Sequence, residues 1–406
     1  MINSRKKGFT LVELVIVIAV VAILAAVLIP TFSNLVKKAN VSADTQAVVQ
    51  MNKALAIEAA DGKIDTIEKA ANALADAGYN DELTPVTKGY SFYWYPKYNT
   101  IILADGENKL VYPTNNKEIE ENFEKDFGSC YNLKVAYSKQ EATSSNLTEL
   151  VADGSNVTLK EEVSLTPVTV EGYSRQAGLV IPSDETVALD LGGNKLSVPT
   201  TADGKDCTAM AIIVDGELVL SNGIVEGRGI VVRPGGKLII EDNVTINAIG
   251  SSGGQAIRNE GGIVVINGGT FNALKGDCAS DQTSEPACIY NTGMMTINGG
   301  TFTTVSDDYA ILTFSGNLTI NKATVQASRG VIAVNGGKVE INDGTFECDS
   351  KYGGEVTDSA YVLYYKSSDS LNSYVKINGG TYTNKAGKTV KYIDATNFID
   401  EKKLLG

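Results

Sequence analysis

Glu13 is the single ionisable side chain in the run Phe9 to Ile29, FTLVELVIVIAVVAILAAVLI. A carboxylate placed in an apolar span costs a few kcal/mol, and such residues are found with a partner of opposite charge. Elsewhere the side chains that carry chemistry are sparse. No histidine occurs among the 406 residues, which removes the commonest general base, proton shuttle and zinc ligand. Ser-His-Asp and Cys-His hydrolysis and His-built metal sites are thereby excluded. Asp307-Asp308 forms an acidic pair, and Arg228, Arg233, Arg258 and Arg329 are weighed as basic side chains. No acidic cluster recurs at matching spacing, and no Asp-x-Asp-x-Asp-Gly calcium loop is present. No cofactor and no metal are expected. The five cysteines (130, 207, 278, 288 and 348) include no C-x2-C pair for zinc. Cys278 and Cys288 bracket an insertion between repeats, and a disulfide there is expected in an oxidising compartment.

The elements that would position these groups begin with the apolar run itself. As a helix, its 21 residues reach roughly 31 Å, enough to cross a bilayer. Arg5, Lys6 and Lys7 precede it, and basic residues beside a span stay cytoplasmic, which sends the rest of the chain outward. The formal net charge is −13, and nearly all the acids follow residue 40. Binding to nucleic acid is not expected from that balance. A cleaved secretory signal, a plain anchor and a segment that uses Glu13 all remain open, although no A-x-A step stands in the run.

At these residues the sequence resembles type IV prepilins and pseudopilins: a short basic leader ending in Gly8, then Phe9-Thr10-Leu11-Val12-Glu13-Leu14, with Pro30 further along. The resemblance implies cleavage after Gly8 by a prepilin peptidase and N-methylation of Phe9. It also implies packing of the apolar helices, with Glu13 and Pro30 serving subunit assembly. The partners implied are the prepilin peptidase/N-methyltransferase, other pilin subunits and the membrane. Once cleaved, the Phe9 ammonium in a low-dielectric setting is a fitting partner for Glu13.

Pro30 is expected to kink or locally melt a helix that continues beyond it. Leu35, Val41, Val48, Leu55, Ala56 and Ala59 then recur at helical period, a stripe that needs a sheet. A second helix starts at Asp65-Thr66-Ile67-Glu68 and stops at Gly78. Ser91–Tyr95, Thr100–Leu103 and Leu110–Tyr112 read as a three-stranded meander whose aromatics, Trp94 included, are core. Residues 114–150 are polar and read as a connector.

From about residue 150 an internal repeat controls the fold. Ile266-Asn-Gly-Gly-Thr-Phe271, Ile297-Asn-Gly-Gly-Thr-Phe302, Ile341-Asn-Asp-Gly-Thr-Phe346 and Ile377-Asn-Gly-Gly-Thr-Tyr382 are its clearest copies. With Leu220, Ile240 and Ile320 the anchors lie 20, 26, 31, 23, 21 and 36 residues apart. A shortest step near 20 suits one coil of a parallel β-helix. Leu218, Leu238, Val264, Met295, Leu318, Val339 and Val375 are expected to point inward with the anchors. Asn-Gly should supply a positive-φ corner, and Asn267, Asn298, Asn321, Asn342 and Asn378 should align in a ladder. This half resembles the right-handed parallel β-helix family of pectate lyases, tailspikes and bacterial surface adhesins. Between the inward pairs, Val219, Ile239 and Val265 give the early coils an apolar outer face. That patch should be covered by the connector, by the preceding α+β part or by a partner.

The expected organisation is therefore a leader (1–8), a transmembrane or filament-core helix (9–29), the rest of an α+β pilin-like part (30–115), a linker (116–150), an all-β parallel β-helix (151–385) and a C-terminal cap (386–406). The expected function is that of a structural cell-surface subunit, minor or tip-proximal, displaying the β-helix toward a surface glycan or protein ligand. The alternatives are a surface-tethered polysaccharide lyase or hydrolase, and a pseudopilin of a secretion or DNA-uptake machine.

Overall fold

The computed structural model describes residues 11–79, 83–136, 139–198, 209–250, 254–275, 287–304, 309–349, 351–352, 355–356, 362–365 and 374–385. The chain divides into two compact units, Met1–Glu124 and Lys125–Gly406.

In the first unit, helix α1 (Leu11–Asp61) runs without a break through Pro30, so the local melting expected there does not occur. Its second half buries Asp44, Val48, Met51 and Leu55, spaced four, three and four residues apart as one helical face requires. The stripe is shorter than the sequence pattern implies. Leu35 is 60% exposed, and Ala56 and Ala59 are exposed as well, because the packed face ends where the short sheet ends. That sheet is an antiparallel meander of β1 (Ser91–Tyr95), β2 (Thr100–Ala104) and β3 (Leu110–Tyr112). Phe92, Tyr93, Trp94 and Tyr95 are all buried, as the core reading requires. Two polar side chains of α1 tie it down. Asn52 Nδ2 donates to Ile101 O at 2.9 Å, and its Oδ1 accepts from Ile101 N at 2.6 Å. The buried Asp44 carboxylate accepts from the backbone N–H groups of Val86 (2.7 Å) and Thr87 (3.0 Å). Helix α2 (Ile67–Asp76) is capped by Thr66, whose side chain accepts from Lys69 N.

In the second unit three parallel sheets stack coil upon coil, and this is a parallel β-helix. One coil consists of Ile263–Ile266 on the first face, Thr270–Lys275 on the second and Ala287–Asn291 on the third. The register follows the repeat residue for residue. Leu218 pairs with Leu238, Leu238 with Val264, Val264 with Met295, Met295 with Leu318, Leu318 with Val339 and Val339 with Val375. Their anchors pair alongside, and the inward residues form one continuous core. Phe271 stacks on Phe302 at 4.7 Å, and Phe346 on Tyr382 at 4.9 Å.

The corner after the anchor differs in one detail from expectation. The positive φ falls on the second glycine of Asn-Gly-Gly, +96° at Gly269 and +112° at Gly300. The first glycine is needed for close approach instead: a Cβ at Gly299 would stand 2.7 Å from Asn267 O.

The expected ladder is present. Nδ2 of Asn298 donates to Oδ1 of Asn267 at 3.0 Å, Asn321 to Asn298 at 2.8 Å, Asn342 to Asn321 at 2.8 Å and Asn378 to Asn342 at 2.6 Å. Two earlier coils, with Thr186–Asp190 and Val157–Leu159 on the first face, extend the stack toward its start. There a short helix, α4 (Leu147–Ala152), buries Leu147 and Val151 against the interior and so covers the first coil. The C-terminal cap expected over 386–406 lies outside the described residues.

Residues 116–150, read as a linker, fold throughout their described length. Helix α3 (Lys117–Asp126) is followed by 3-10 turns at Phe127–Ser129 and Leu133–Ala136. Strand Gln140–Ala142 then pairs with Val157–Leu159, and α4 follows.

Candidate functional site

The site residues expected at the amino terminus fall on α1 or just before it. Gly8 and Phe9 lie outside the described residues. Glu13 stands in the first turn of α1 and is exposed, where the helix dipole favours a carboxylate. Around it, Leu14, Val15, Ile16, Val17 and Ile18 are consecutive and all between 54% and 58% exposed. Five neighbours in a row cover every side of a helix, so the surface is apolar all round, which is the pattern of a helix that is buried in something else. The exposed apolar stretch continues to Leu28, Ile29, Phe32 and Leu35. Pro30 lies within it and leaves one carbonyl of the preceding turn without its helical donor. From Leu11 the helix is long and apolar enough to cross a membrane, with a mean hydropathy of 3.2 in its most apolar window.

The β-helix carries the remaining candidates. Val219, Ile239 and Val265 are buried, at 7%, 0% and 2% exposure, and the chain's own residues 127–129 lie against the strands that carry Ile239 and Val265. A Cβ on Gly128 would stand 3.0 Å from Val265 Cγ2 and 3.2 Å from Ile263 Cγ2. Lys237 Nζ donates to the Cys130 carbonyl, pairs with Glu217 Oε1 at 3.0 Å and stands 4.7 Å from the Phe127 ring centroid. The patch offered to a partner in the sequence reading is therefore occupied from within the chain.

Of the disulfide expected between Cys278 and Cys288, the Cys278 side lies outside the described residues. Cys288 is a free thiol, wholly buried, and its Sγ lies 3.4 Å from Phe271 O and 3.3 Å from Thr303 O. Strand alternation turns position 288 into the core. Burial pushes the Cys288 thiol up to about 12, far from the thiolate that exchange chemistry needs.

The arginines weighed as bases are engaged with neighbours. Arg233 makes a two-point contact with the Asp215 carboxylate and donates to Glu171 O at 3.0 Å. Arg258 bonds Glu260 and lies 4.2 Å from the Tyr290 ring centroid. Tyr290 stacks on Phe314 at 5.0 Å, and Tyr309 meets Tyr364 at 6.0 Å. These aromatic side chains fill the outer surface of the third face by packing on one another. Asp307 and Asp308 lie outside the described residues.

One polar feature escaped the sequence reading. Asn259 and Asn291, both wholly buried, pair at the corner between the third face and the first. Asn259 Nδ2 donates to Asn291 Oδ1 at 2.9 Å, and Asn259 Oδ1 accepts from Gly262 N at 2.8 Å. The signal was available as Asn-x-x-Gly at 259–262 and Asn-x-Gly at 291–293, just before each first-face strand.

The family described as the prokaryotic N-terminal methylation motif matches residues 3–29. The chain is 43% identical over 61 residues to a type IV major fimbrial protein of Dichelobacter nodosus, covering 15% of this chain and 39% of that protein. It is 55% identical over 49 residues to the type IV wide pilus major component of Thermus thermophilus, covering 12% and 35%. With prepilin peptidase-dependent protein D of Escherichia coli it shares 35% identity over 72 residues, covering 18% and 49%. The chain thus spans less than half the length of these curated relatives. No solved structure matches the chain. Its amino-terminal segment is type IV pilin-like, with an N-terminal methylation motif on an exposed apolar helix, and a parallel β-helix outside the reach of those relatives follows.

Proposed function

We propose that this chain is a pilin-like subunit of the cell surface, minor or tip-proximal in its filament, that displays a β-helix toward a surface glycan or protein ligand. The observation that carries the reading is the amino-terminal half of α1, apolar on every side, with Leu14 to Ile18, Leu28, Ile29, Phe32 and Leu35 exposed, and interrupted by the single acid Glu13. A prepilin peptidase cuts after Gly8 and the new Phe9 amine is methylated. Before assembly the helix sits in the membrane with the rest of the chain on the outer side. In the filament, neighbouring helices replace the lipid, and each Glu13 carboxylate neutralises a Phe9 ammonium of its own or a neighbouring subunit. The β-helix unit, residues 125–406, is bulky for a lattice built on thin helices, and that supports a minor place.

Mass spectrometry of the mature protein tests the processing: the expected amino terminus is a methylated Phe9. Glu13→Ala should reduce sheared filament yield, or incorporation of this subunit into filaments, at least tenfold while leaving the cellular amount of the chain unchanged. An intact initiator methionine, or undiminished incorporation of the variant, overturns the reading.

A further inference from the structure

The three faces of the β-helix differ in their charged side chains. First-face strands carry Glu217, Lys237, Lys338, Glu340 and Lys376, and second-face strands Lys195, Glu226 and Glu347. Among the described residues, the third-face strands contain no Lys, Asp or Glu. Every arginine after Arg5 stands on that face or at its corners. Arg175 precedes Gln176–Ile181, Arg228 and Arg233 flank Ile230–Val232, Arg258 lies within Gln255–Asn259, and Arg329 precedes Gly330–Val334. Arginine and aromatic side chains in place of lysine and acids are the composition of a binding surface. The connections into this face also differ in length, long from Ser197 to Met210 and from Lys275 to Ala287, tight from Gly227 to Ile230, as loops beside functional surfaces do. Along the face, Ile213 pairs with Val231, Val231 with Arg258, Arg258 with Tyr290 and Tyr290 with Leu312. The chain's own Val170 covers Ile213 and Val231, with Tyr173 beside it, and the arginines gather where that cover ends. Burial raises the pKa of the Tyr173 hydroxyl, Glu260 adds to the rise, and the charges of Arg258, Arg175 and Arg228 oppose it.

We propose that the outer surface of the third face, from Arg175 and Arg258 to Phe314, binds an anionic glycan whose sugar rings carry carboxylate or sulfate groups. The proposal rests on the displaying role given above and names its surface and its ligand class. Arg233 is held by Asp215, and Arg258 by Glu260, in bonds that engage fewer than the five N–H groups a guanidinium offers. Arg175 is half-buried and makes no hydrogen bond or ion pair among the described residues. Guanidinium therefore stands in excess of carboxylate here, in a chain of net charge −13, and its planar fork suits the paired oxygens of an acidic sugar. The Arg258 guanidinium lies 4.2 Å from the Tyr290 ring centroid, and Phe314 stacks on Tyr290 at 5.0 Å and is 42% exposed. At ~4.8 Å per coil, Arg258 and the coil of Phe314 are about 10 Å apart in a straight row. Such a row suits a linear polymer, with acid groups at the arginines and the C–H face of a sugar on the Phe314 ring. An extended acidic peptide is served less well, because the strands that carry Arg258, Tyr290 and Leu312 are paired on both sides and offer no free edge. The acids of the other two faces repel a polyanion and leave this one as its place of contact.

Binding of the full chain in non-ionic detergent to immobilised heparin, hyaluronate, dextran sulfate and dextran tests it. Heparin, which carries both acid groups, should retain the chain, and neutral dextran should not. Retention on hyaluronate assigns the site to carboxylates and retention on dextran sulfate to sulfates, and either supports the proposal. Arg175→Gln with Arg258→Gln should lower heparin affinity at least about tenfold, the worth of one charge-assisted hydrogen bond. Arg175→Gln alone breaks no bond among the described residues, so it serves as the variant that keeps the fold, and it should weaken binding about threefold. The first-face pair Lys338→Gln with Lys376→Gln removes the same charge elsewhere and should change affinity less than about twofold. No retention on any charged glycan, equal retention on dextran, equal losses from the arginine and lysine pairs, or tighter binding of polyglutamate than of heparin overturns the proposal. A chain that binds heparin through these arginines but never enters filaments would count against the proposed function alone. A processed, incorporated chain that binds no charged glycan would count against this inference alone.

Discussion

Two regions of this molecule are built from the same residues and meet opposite surroundings. In α1, Val15 to Ile18 leave more than half of each side chain in contact with solvent. In the β-helix, Ile240, Val264, Ile266 and Ile297 leave none. A Val or Ile side chain gains about 1.5–3 kcal/mol on full burial. The coils collect that gain within the chain, because alternation sends every second residue inward and the next coil covers it. The amino-terminal half of α1 has no face left over for water, so its gain can come only from lipid or from neighbouring helices. One core folds the subunit, and the other places it.

The sharpest way to break this comparison is to remove one ring from each region. Phe302 is wholly buried between Phe271 and the next coil, and Phe302→Ala should cost about 3–5 kcal/mol by urea unfolding of the detergent-solubilised subunit. Phe32 is 69% exposed, and Phe32→Ala should cost under ~0.5 kcal/mol in the same assay while lowering incorporation into filaments. Equal losses in the unfolding assay would mean that the helix already finds its partner inside the monomer.

A second test stays within the β-helix and compares its two asparagine ladders. Asn321 bridges its neighbours at an exposed corner, where water can replace a lost amide. Asn291 is wholly buried and serves both Asn259 Nδ2 and Gly293 N. Asn291→Ala should therefore cost about 1–3 kcal/mol and Asn321→Ala about 1 or less, measured by the same urea midpoints. The next position of the inner ladder is Thr313, paired in register with Asn291, and its buried hydroxyl has no hydrogen-bond partner. Thr313→Val should be neutral or stabilising by up to about 1 kcal/mol. A clear loss there would show that the hydroxyl is satisfied in solution.

How much of this was legible in the sequence follows from which forces are local. The inward pairs, the register and the outer ladder could be read because one motif, Ile-Asn-Gly-Gly-Thr-Phe, fixes them together at each coil. The meander and α2 were readable from alternation and capping for the same reason. The third face was harder to read, since Gln255–Asn259 and Ala287–Asn291 share only a small residue before Ile-x-Asn, and loops of unequal length precede them. Residues 127–136 were read as polar connector because their buried side chains, Phe127, Cys130, Leu133 and Val135, follow no single period. The burial of Cys288 was not legible, because spacing reveals a loop but not the direction in which its flanking strand points its side chains. Asp44 passed unnoticed because a buried carboxylate that accepts two backbone N–H groups looks, in sequence, like any polar residue on a solvated face.

The smallest effect asked of the comparison lies on the outer surface of the last coils, where apolar burial no longer decides anything. Lys376 Nζ lies 2.9 Å from Glu340 Oε1, and Asn378 Nδ2 donates to the same oxygen at 2.8 Å. The Lys376 hydrogen bond holds the Glu340 carboxyl below its usual value. An acid whose folded value is depressed stabilises the fold above its unfolded value and loses that contribution as the pH falls through the folded one. Both side chains are partly in water, at 57% and 30% exposure, so screening limits the pair to about 0.3 kcal/mol. Lys376→Met should lower the urea midpoint slightly at pH 7, and that loss should shrink as the pH falls through the depressed folded value of the carboxyl. A loss that does not shrink with falling pH would assign the effect to the lysine's methylene packing on the last coil, and a loss of several kcal/mol at pH 7 would show that this outer face is covered in the folded subunit.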